Sequence, residues 1–137
     1  MELEQVTQIV ADFIAEADYV TNAAPISDRV WELECENEVD IVITFHAEQQ
    51  RLELMSVLGT PDAENRVSVY ATFLTANGLT HRNAGIRLML DAPQGDVIQE
   101  CDIPIMGLDP RTLLDTTRIF AERGHRGRQI VLGQTTA

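Results

Sequence analysis

Cysteine and histidine are the residue types in this chain best suited to nucleophilic or metal chemistry. The cysteines are Cys35 and Cys101, and the histidines are His46, His81 and His125. None of them has the spacing of a zinc site, and there is no C-x-x-C pair. Cys35 and His46 fall on predicted neighbouring strands, but a nucleophilic pair also needs a third group to orient the histidine. The sequence therefore favours two buried thiols in a reducing compartment over a disulfide, a metal site or a catalytic pair.

Acidic side chains are so frequent that pairs of carboxylates must arise by chance. Glu32, Glu34, Glu36 and Glu38 alternate along and beside one predicted strand. A general acid needs a pocket that raises its pKa, and nothing in the sequence marks one of these carboxylates as buried. We therefore expect a solvated acidic face, and the sequence predicts no catalytic residue.

The composition argues against nucleotides, nucleic acids and membranes as ligands. The chain has 137 residues and a net charge of −12, and all of its basic residues are arginines. Such a charge repels phosphate, and the chain has neither G-x-x-x-x-G-K-[ST] nor G-x-G-x-x-G to cradle one. The segment "MELEQVTQIV" has neither a basic start nor an apolar run, so we expect it not to be a secretory leader, and no stretch approaches the roughly 20 apolar residues of a membrane span. The sequence predicts a cytoplasmic protein without a cofactor.

The elements that must position any site begin with two amphipathic helices. Residues 3–18 place their apolar side chains within an arc of about 140°. A second helix is predicted over residues 64–78, with Asp62 as a candidate N-cap. Asn77 and Gly78 favour a left-handed stop at its end.

Five segments have the apolar alternation of strands. The first three follow one another with short links, which is typical of an antiparallel meander. The segment "TNAAPISD" before them is predicted to be a break because it contains Pro25, and Pro104 favours a strand end or an edge. The predicted strands cover residues 30–35, 39–46, 51–58, 86–93 and 97–105.

A third helix is predicted over residues 109–123, with Asp109 as N-cap, Pro110 at the first helical position and Gly124 as its stop. The order α-β-β-β-α-β-β-α predicts an α+β domain on a mostly antiparallel sheet. We expect a single domain over residues 1–123. Residues 124–137 are interpreted as a basic tail, which is disordered, lies on the acidic domain or serves as a basic arm.

The predicted sheet has a second face that is half apolar. Val42 interrupts the polar side of the strand over residues 39–46, and Met55 and Val57 do the same in the next strand. Several such side chains together usually mark an interface. The alternatives are cover by another chain and cover by one of the protein's own helices, and the residues alone do not decide between them.

Residues 3–123 resemble the class I type III secretion chaperones of Gram-negative pathogens, which are small acidic cytoplasmic proteins. The resemblance rests on the order of the elements and on the segments "VTQIVADFIAEA", "DIVITF", "LELMSVLG" and "LDPRTLLDTTRIF". It implies an α+β chaperone fold and a function without catalysis.

The resemblance also implies partners. Such chaperones form homodimers and bind an N-terminal segment of a secreted effector in extended form, without ATP, so that the effector stays stable and secretion-competent. The implied dimer interface consists of Val69, Tyr70, Phe73, Leu74 and Leu88. The residues expected to contact the effector are Val42, Met55 and Val57, with whichever of Val6, Val10 and Phe13 the core leaves exposed.

Two other functions remain as alternatives. A small hot-dog-type thioesterase has a similar length, but its sheet wraps a long helix, whereas the predicted middle helix has about three turns. An adaptor or sensory domain of the same fold, unrelated to secretion, is the second alternative.

Overall fold

The computed structural model of the chain describes residues 1–78, 85–91 and 93–134. Within these ranges the chain forms three α-helices and six β-strands. The helices are α1 (Leu3–Glu16), α2 (Arg66–Asn77) and α3 (Pro110–Val131). The strands are β1 (Val20–Ser27), β2 (Val30–Cys35), β3 (Val39–His46), β4 (Arg51–Gly59), β5 (Arg87–Asp91) and β6 (Asp96–Pro104).

The six strands form one antiparallel sheet in the order β1-β2-β3-β4-β6-β5. This arrangement confirms the predicted α+β class with helices packed on an antiparallel sheet. The sheet has one strand more than predicted, because β1 occupies the segment in which Pro25 predicted a break. Pro25 is tolerated there because β1 is an edge strand, and the backbone N–H groups on its outer side form no hydrogen bonds within the sheet. Pro104 ends β6, as predicted.

The turn between β2 and β3 has an unusual backbone. Asn37 and Glu38 both have positive φ angles, of 64° and 61°. They lie in a three-residue link, Glu36–Glu38, between the register partners Cys35 and Val39. Asn accepts this conformation readily, whereas Glu38 occupies a position that favours glycine.

The middle helix begins and ends differently from the prediction. Its N-cap is Asn65 and not Asp62. Gly78 is right-handed, with φ −62°, so the predicted left-handed stop is wrong. The side-chain amide of Asn77 bonds to both backbone groups of Leu88 in β5, at 2.8 Å to the nitrogen and 2.6 Å to the oxygen.

The C-terminal helix starts as predicted but continues beyond the predicted stop. The backbone N–H of Thr112 donates to the Asp109 carboxylate at 2.7 Å, which confirms the N-cap. The stop at Gly124 is wrong, since α3 runs to Val131, and the domain boundary predicted at residue 123 falls inside this helix. A β-carbon on Gly127 would lie 2.8 Å from Leu58 Cδ1. The glycines therefore serve close packing of α3 on the sheet and not termination.

The main core lies between the sheet and the pair α1 and α3. Phe13 of α1 and Phe120 of α3 are completely buried on the central strands. Two polar groups in this core have backbone partners: the Tyr19 hydroxyl donates to the Leu114 carbonyl at 2.8 Å, and the Gln99 amide donates to the Phe120 carbonyl at 2.9 Å. A smaller cluster joins α2 to the same side of the sheet through Leu58, Val69, Phe73, Val97 and Val131.

Candidate functional site

All three helices pack on one face of the sheet, which we call the helix face. In β3, Ile41 and Ile43 point to this face and are completely buried, whereas Val42 between them is half-buried on the other side. No helix or strand in residues 1–78, 85–91 and 93–134 covers that other side, which we call the open face. The second face inferred from the sequence therefore has no intramolecular cover within the described chain.

Five apolar side chains run across the open face. Val42 is the register partner of Met55, and Val57 is the partner of Ile98. Ile98 in turn faces Met89 of edge strand β5. Val57 is 51% exposed and Met89 is 41% exposed. We call Val42, Met55, Val57, Ile98 and Met89 the apolar strip.

The predicted effector-contact residues divide between the two faces. Val42, Met55 and Val57 lie together in the apolar strip. Val6, Val10 and Phe13 of α1 are completely buried in the protein's own core. The condition that the core leaves some of these three exposed is therefore not met, because the whole apolar arc of α1 is used for packing.

One side of the apolar strip borders a network of ion pairs. Arg51 contacts Asp102 at 2.5 Å and Glu53 at 3.5 Å. Arg87 contacts Asp102 at 2.9 Å and also pairs with Glu100. The hydrogen bonds that Arg87 donates to Asp102 and then to Glu100 raise the pKa of its guanidinium. Glu53, Glu100 and Asp102 are close enough to share a cation, but the two arginines already compensate their charge, so we assign no metal site.

The opposite side of the strip is acidic. Glu32 and Glu34 of β2 and Asp40 of β3 project from the open face and are exposed, which confirms the predicted solvated acidic face. Glu36 and Glu38 lie in the short turn between these strands. Net negative charge of this density favours cationic partners.

The predicted dimer residues are only partly available for contact with another chain. Val69 and Phe73 are 4% and 7% exposed, because they pack in the smaller cluster of their own chain. Tyr70 and Leu88 are half-buried, and Leu74 is 71% exposed. An apolar groove of about 270 Å³ lies between α2 and β5 and is lined by Tyr70, Phe73, Leu74, Asn77, Leu88, Met89, Leu90 and Val97.

The cysteines do not form a catalytic arrangement in the described chain. Both are free and buried, as predicted. Cys35 and His46 lie on opposite faces and at opposite ends of their strand pair. Cys35 instead lines a depression that also contains His125, but burial raises the pKa of its thiol to about 11. A neutral thiol is a poor nucleophile. His81 lies outside the described residues.

Residues 8–122 match the family described as Tir chaperone protein (CesT). The chain belongs to this CesT family. No curated protein matches the sequence. No helix in the described ranges is both long and apolar enough to cross a membrane.

Solved structures share the fold of this CesT-family chain at low sequence identity. The ExsC–ExsE complex gives a TM-score of 0.76 at 14% identity, over 97% of this chain and 98% of that chain. The HopA1–SchA chaperone–effector complex gives 0.71 at 18% identity, over 94% and 98%. The ExoU–SpcU complex from the type III secretion system of Pseudomonas aeruginosa gives 0.62 at 15% identity, over 77% and 84%. The fold is therefore that of the predicted chaperones.

The hot-dog thioesterase alternative does not agree with this architecture. Its sheet would wrap around a long helix, whereas α2 has 12 residues and packs at one end of an open sheet. Sequence reasoning missed Ile98 in the apolar strip and the exposed Leu90 beside the groove. Ile98 could have been found from its alternation with buried Val97 and Gln99 in the same strand.

Proposed function

We propose that this protein is a chaperone of type III secretion that binds an effector protein in the bacterial cytoplasm. The observation that carries the proposal is the CesT-family match over residues 8–122. Structures of similar fold that contain an effector together with a chaperone, such as HopA1–SchA, support an effector as the partner. The neutral Cys35 thiol and the compensated acidic cluster support a function by binding and without catalysis.

We further propose that the effector is held through an N-terminal segment in extended form, which keeps it stable and competent for secretion. The apolar strip supports this proposal, because an extended segment can place alternate side chains on Val42, Met55 and Val57. Met55 and Met89 adapt their shapes to different apolar side chains. Burial of apolar surface requires neither ATP nor a metal.

The two edges of the sheet suggest where main-chain hydrogen bonds to the effector would form. At β5 the Asn77 amide already occupies the backbone groups of Leu88. Edge strand β1 has the sequence VTNAAPIS, without a charged residue to discourage another strand. Strand addition is therefore favoured at residues 20–24 of β1, before Pro25 interrupts the donors.

The effector proposal is tested by capture of the tagged protein's partner from the native organism, followed by mass spectrometry. The captured protein is then produced with and without its N-terminal segment. We expect the full-length form to bind in the presence of EDTA and without nucleotide, and the truncated form to lose binding. Equal binding of both forms would reject the N-terminal segment, and a requirement for ATP would reject this type of chaperone.

We also propose that the protein is a homodimer that associates through α2 and β5. Leu74, Leu88 and Leu90 border an apolar groove that a second copy would cover. Light scattering is expected to give a mass of about 31 kDa, twice the 15.3 kDa chain, for a closed two-fold pair. A monomer at micromolar concentration contradicts this interface.

Leu74→Asp tests the interface without disturbing the core. Leu74 is 71% exposed, so a charge there is expected to dissociate the dimer and leave the monomer folded. Ser68→Asp is the matched control, because Ser68 is an exposed residue of the same helix that does not line the groove. Phe73→Asp is less informative, since Phe73 is buried and a charge there is expected to unfold the chain.

A further inference from the structure

Two pairs of like charges face each other across neighbouring strands of the open face. Glu34 is the register partner of Asp40, and Asp91 is the partner of Asp96. Directly opposed side chains on one face have β-carbons roughly 5 Å apart, and like charges there are destabilising. Among the described residues these four carboxylates have no arginine or histidine partner in an ion pair. Two carboxylates therefore oppose each other at both places without a cation between them, and we expect this to lower the stability of the free protein.

The two acidic pairs lie at opposite ends of the apolar strip. Asp40 precedes Val42 by two residues in β3, and the Ser56 hydroxyl donates to its carbonyl at 2.6 Å, which holds it beside β4. At the other end, Asp91 follows Met89 by two residues in β5. Side chains two residues apart point to the same face. The strip therefore has one acidic pair at its β3 end and another at its β5 end, where the Thr60 hydroxyl donates to the Asp96 carboxylate.

The length of the strip sets the length of the segment that fits it. The strip crosses β3, β4, β6 and β5, which is three strand spacings or about 14 Å. An extended segment advances about 3.3 Å per residue, so about four to five residues span the strip. Basic side chains just beyond both ends of that segment would meet the two acidic pairs.

We propose that the open face selects a partner segment of about four to five mainly apolar residues with lysine or arginine on both sides. This inference rests on the proposed chaperone function and adds the chemical pattern of the bound segment. The apolar centre covers the strip, and the basic flanks remove the repulsion within each acidic pair. An apolar segment with acidic flanks is repelled by the same carboxylates.

The test uses two labelled synthetic peptides and fluorescence anisotropy. One peptide has four alternating valines and leucines between two pairs of lysines, and the other has glutamate in place of every lysine. We expect the lysine peptide to bind and the glutamate peptide not to bind. We also expect Val57→Ser to weaken binding of the lysine peptide, because Val57 lies in the middle of the strip. Equal binding of the two peptides would overturn the proposal.

Matched charge variants separate the acidic pairs from general attraction to an acidic protein. Glu34→Gln combined with Asp40→Asn is expected to lower the affinity for the lysine peptide about fivefold, as for the loss of two exposed ion pairs. Glu16→Gln combined with Glu64→Gln removes the same charge from exposed positions outside the open face, and is expected to change binding less than about twofold. Equal weakening by both double variants would overturn the proposal.

Thermal unfolding gives a second readout. Asp40→Asn is expected to raise the midpoint by about 2 °C because it removes a like-charge contact, and Glu16→Gln is expected to leave it unchanged. Failure of this inference is distinguishable from failure of the proposed function. If the effector binds equally well to the Glu34→Gln, Asp40→Asn protein, the charge pattern is wrong while the chaperone function stands. If no effector binds the unchanged protein, the chaperone function itself fails.

Discussion

The helix face and the open face are built from the same strands but are used differently. In β4, Leu54 is completely buried beneath the helices, whereas its neighbour Met55 is half-buried on the open face. Both residues are apolar and both belong to a central strand. Their difference shows that alternation along a strand assigns side chains to faces, whereas the elements packed above decide which face becomes the core.

The two faces also treat polar groups differently. On the helix face, buried Tyr19 and Gln99 each donate one hydrogen bond to a backbone carbonyl of α3. On the open face, Arg51 and Arg87 share several carboxylates in a network that water still reaches. A buried group without a partner is costly, whereas a solvated charge can exchange partners. The helix face is therefore suited to stability and the open face to binding.

The largest difference between the faces is expected from truncation of adjacent β4 residues. Leu54→Ala should lower the free energy of unfolding by about 3 kcal/mol, because it leaves a cavity under the helices. Met55→Ala should cost less than about 1 kcal/mol, because its side chain is already in contact with water. Urea unfolding measures both values. Similar losses for the two variants would mean that another chain covers the open face in solution.

A second test of the helix face concerns Gly127, where α3 packs closely on Leu58 of β4. Gly127→Ala places a β-carbon 2.8 Å from Leu58 Cδ1, which must move α3 or Leu58. We expect a loss of about 1–2 kcal/mol, since overpacking outweighs the gain in helix propensity. Arg126→Ala, at the neighbouring exposed position, is the control and should be nearly neutral. A stabilised Gly127→Ala protein would show that the packing of α3 on the sheet is looser than the structure indicates.

The two ends of α3 show where sequence reasoning succeeds and fails. Asp109 and Pro110 predict the start of α3 correctly, because capping depends on neighbours in the chain. The stop predicted at Gly124 is wrong, because a β-carbon there would lie 3.3 Å from Val39 and from Gln99, and neither neighbour is close to Gly124 in sequence. Pro25 likewise predicts a break, although an edge position makes it compatible with a strand.

The candidate site was predictable to a similar extent. The alternation around Val42, Met55 and Val57 identified the second face, because strand periodicity is a local property. The sequence could not decide what covers this face, since that depends on the face of the sheet on which each of the three helices packs. It also left open how much of α1 is free, and the complete burial of Val6, Val10 and Phe13 depends on packing against α3 and the sheet.

Alkaline pH should destabilise the helix face through its buried thiol. Burial raises the pKa of Cys35 from 9.0 to about 11, so the folded state keeps the proton that the unfolded state releases. Stability is therefore fully present below about pH 9 and decreases as pH rises towards 11, by about 2 kcal/mol. Urea unfolding at several pH values should show this decrease. The free energy of unfolding should fall less steeply with pH in the Cys35→Ala protein. An unchanged slope would mean that other groups, such as Cys101 or Tyr19, cause the loss.

The smallest expected effect concerns the turn between β2 and β3, next to the acidic pair of Glu34 and Asp40. Glu38→Gly should raise the free energy of unfolding by about 0.5–1 kcal/mol, because glycine adopts the 61° φ angle without strain. Glu36→Gly is the matched control: Glu36 has no positive φ angle, so the same change should destabilise the protein slightly. The lysine peptide should bind Glu38→Gly almost as tightly as the unchanged protein, because the opposed pair of Glu34 and Asp40 remains. A marked loss of peptide binding would instead place the strained turn in the binding surface, and the open face would then extend beyond its strands.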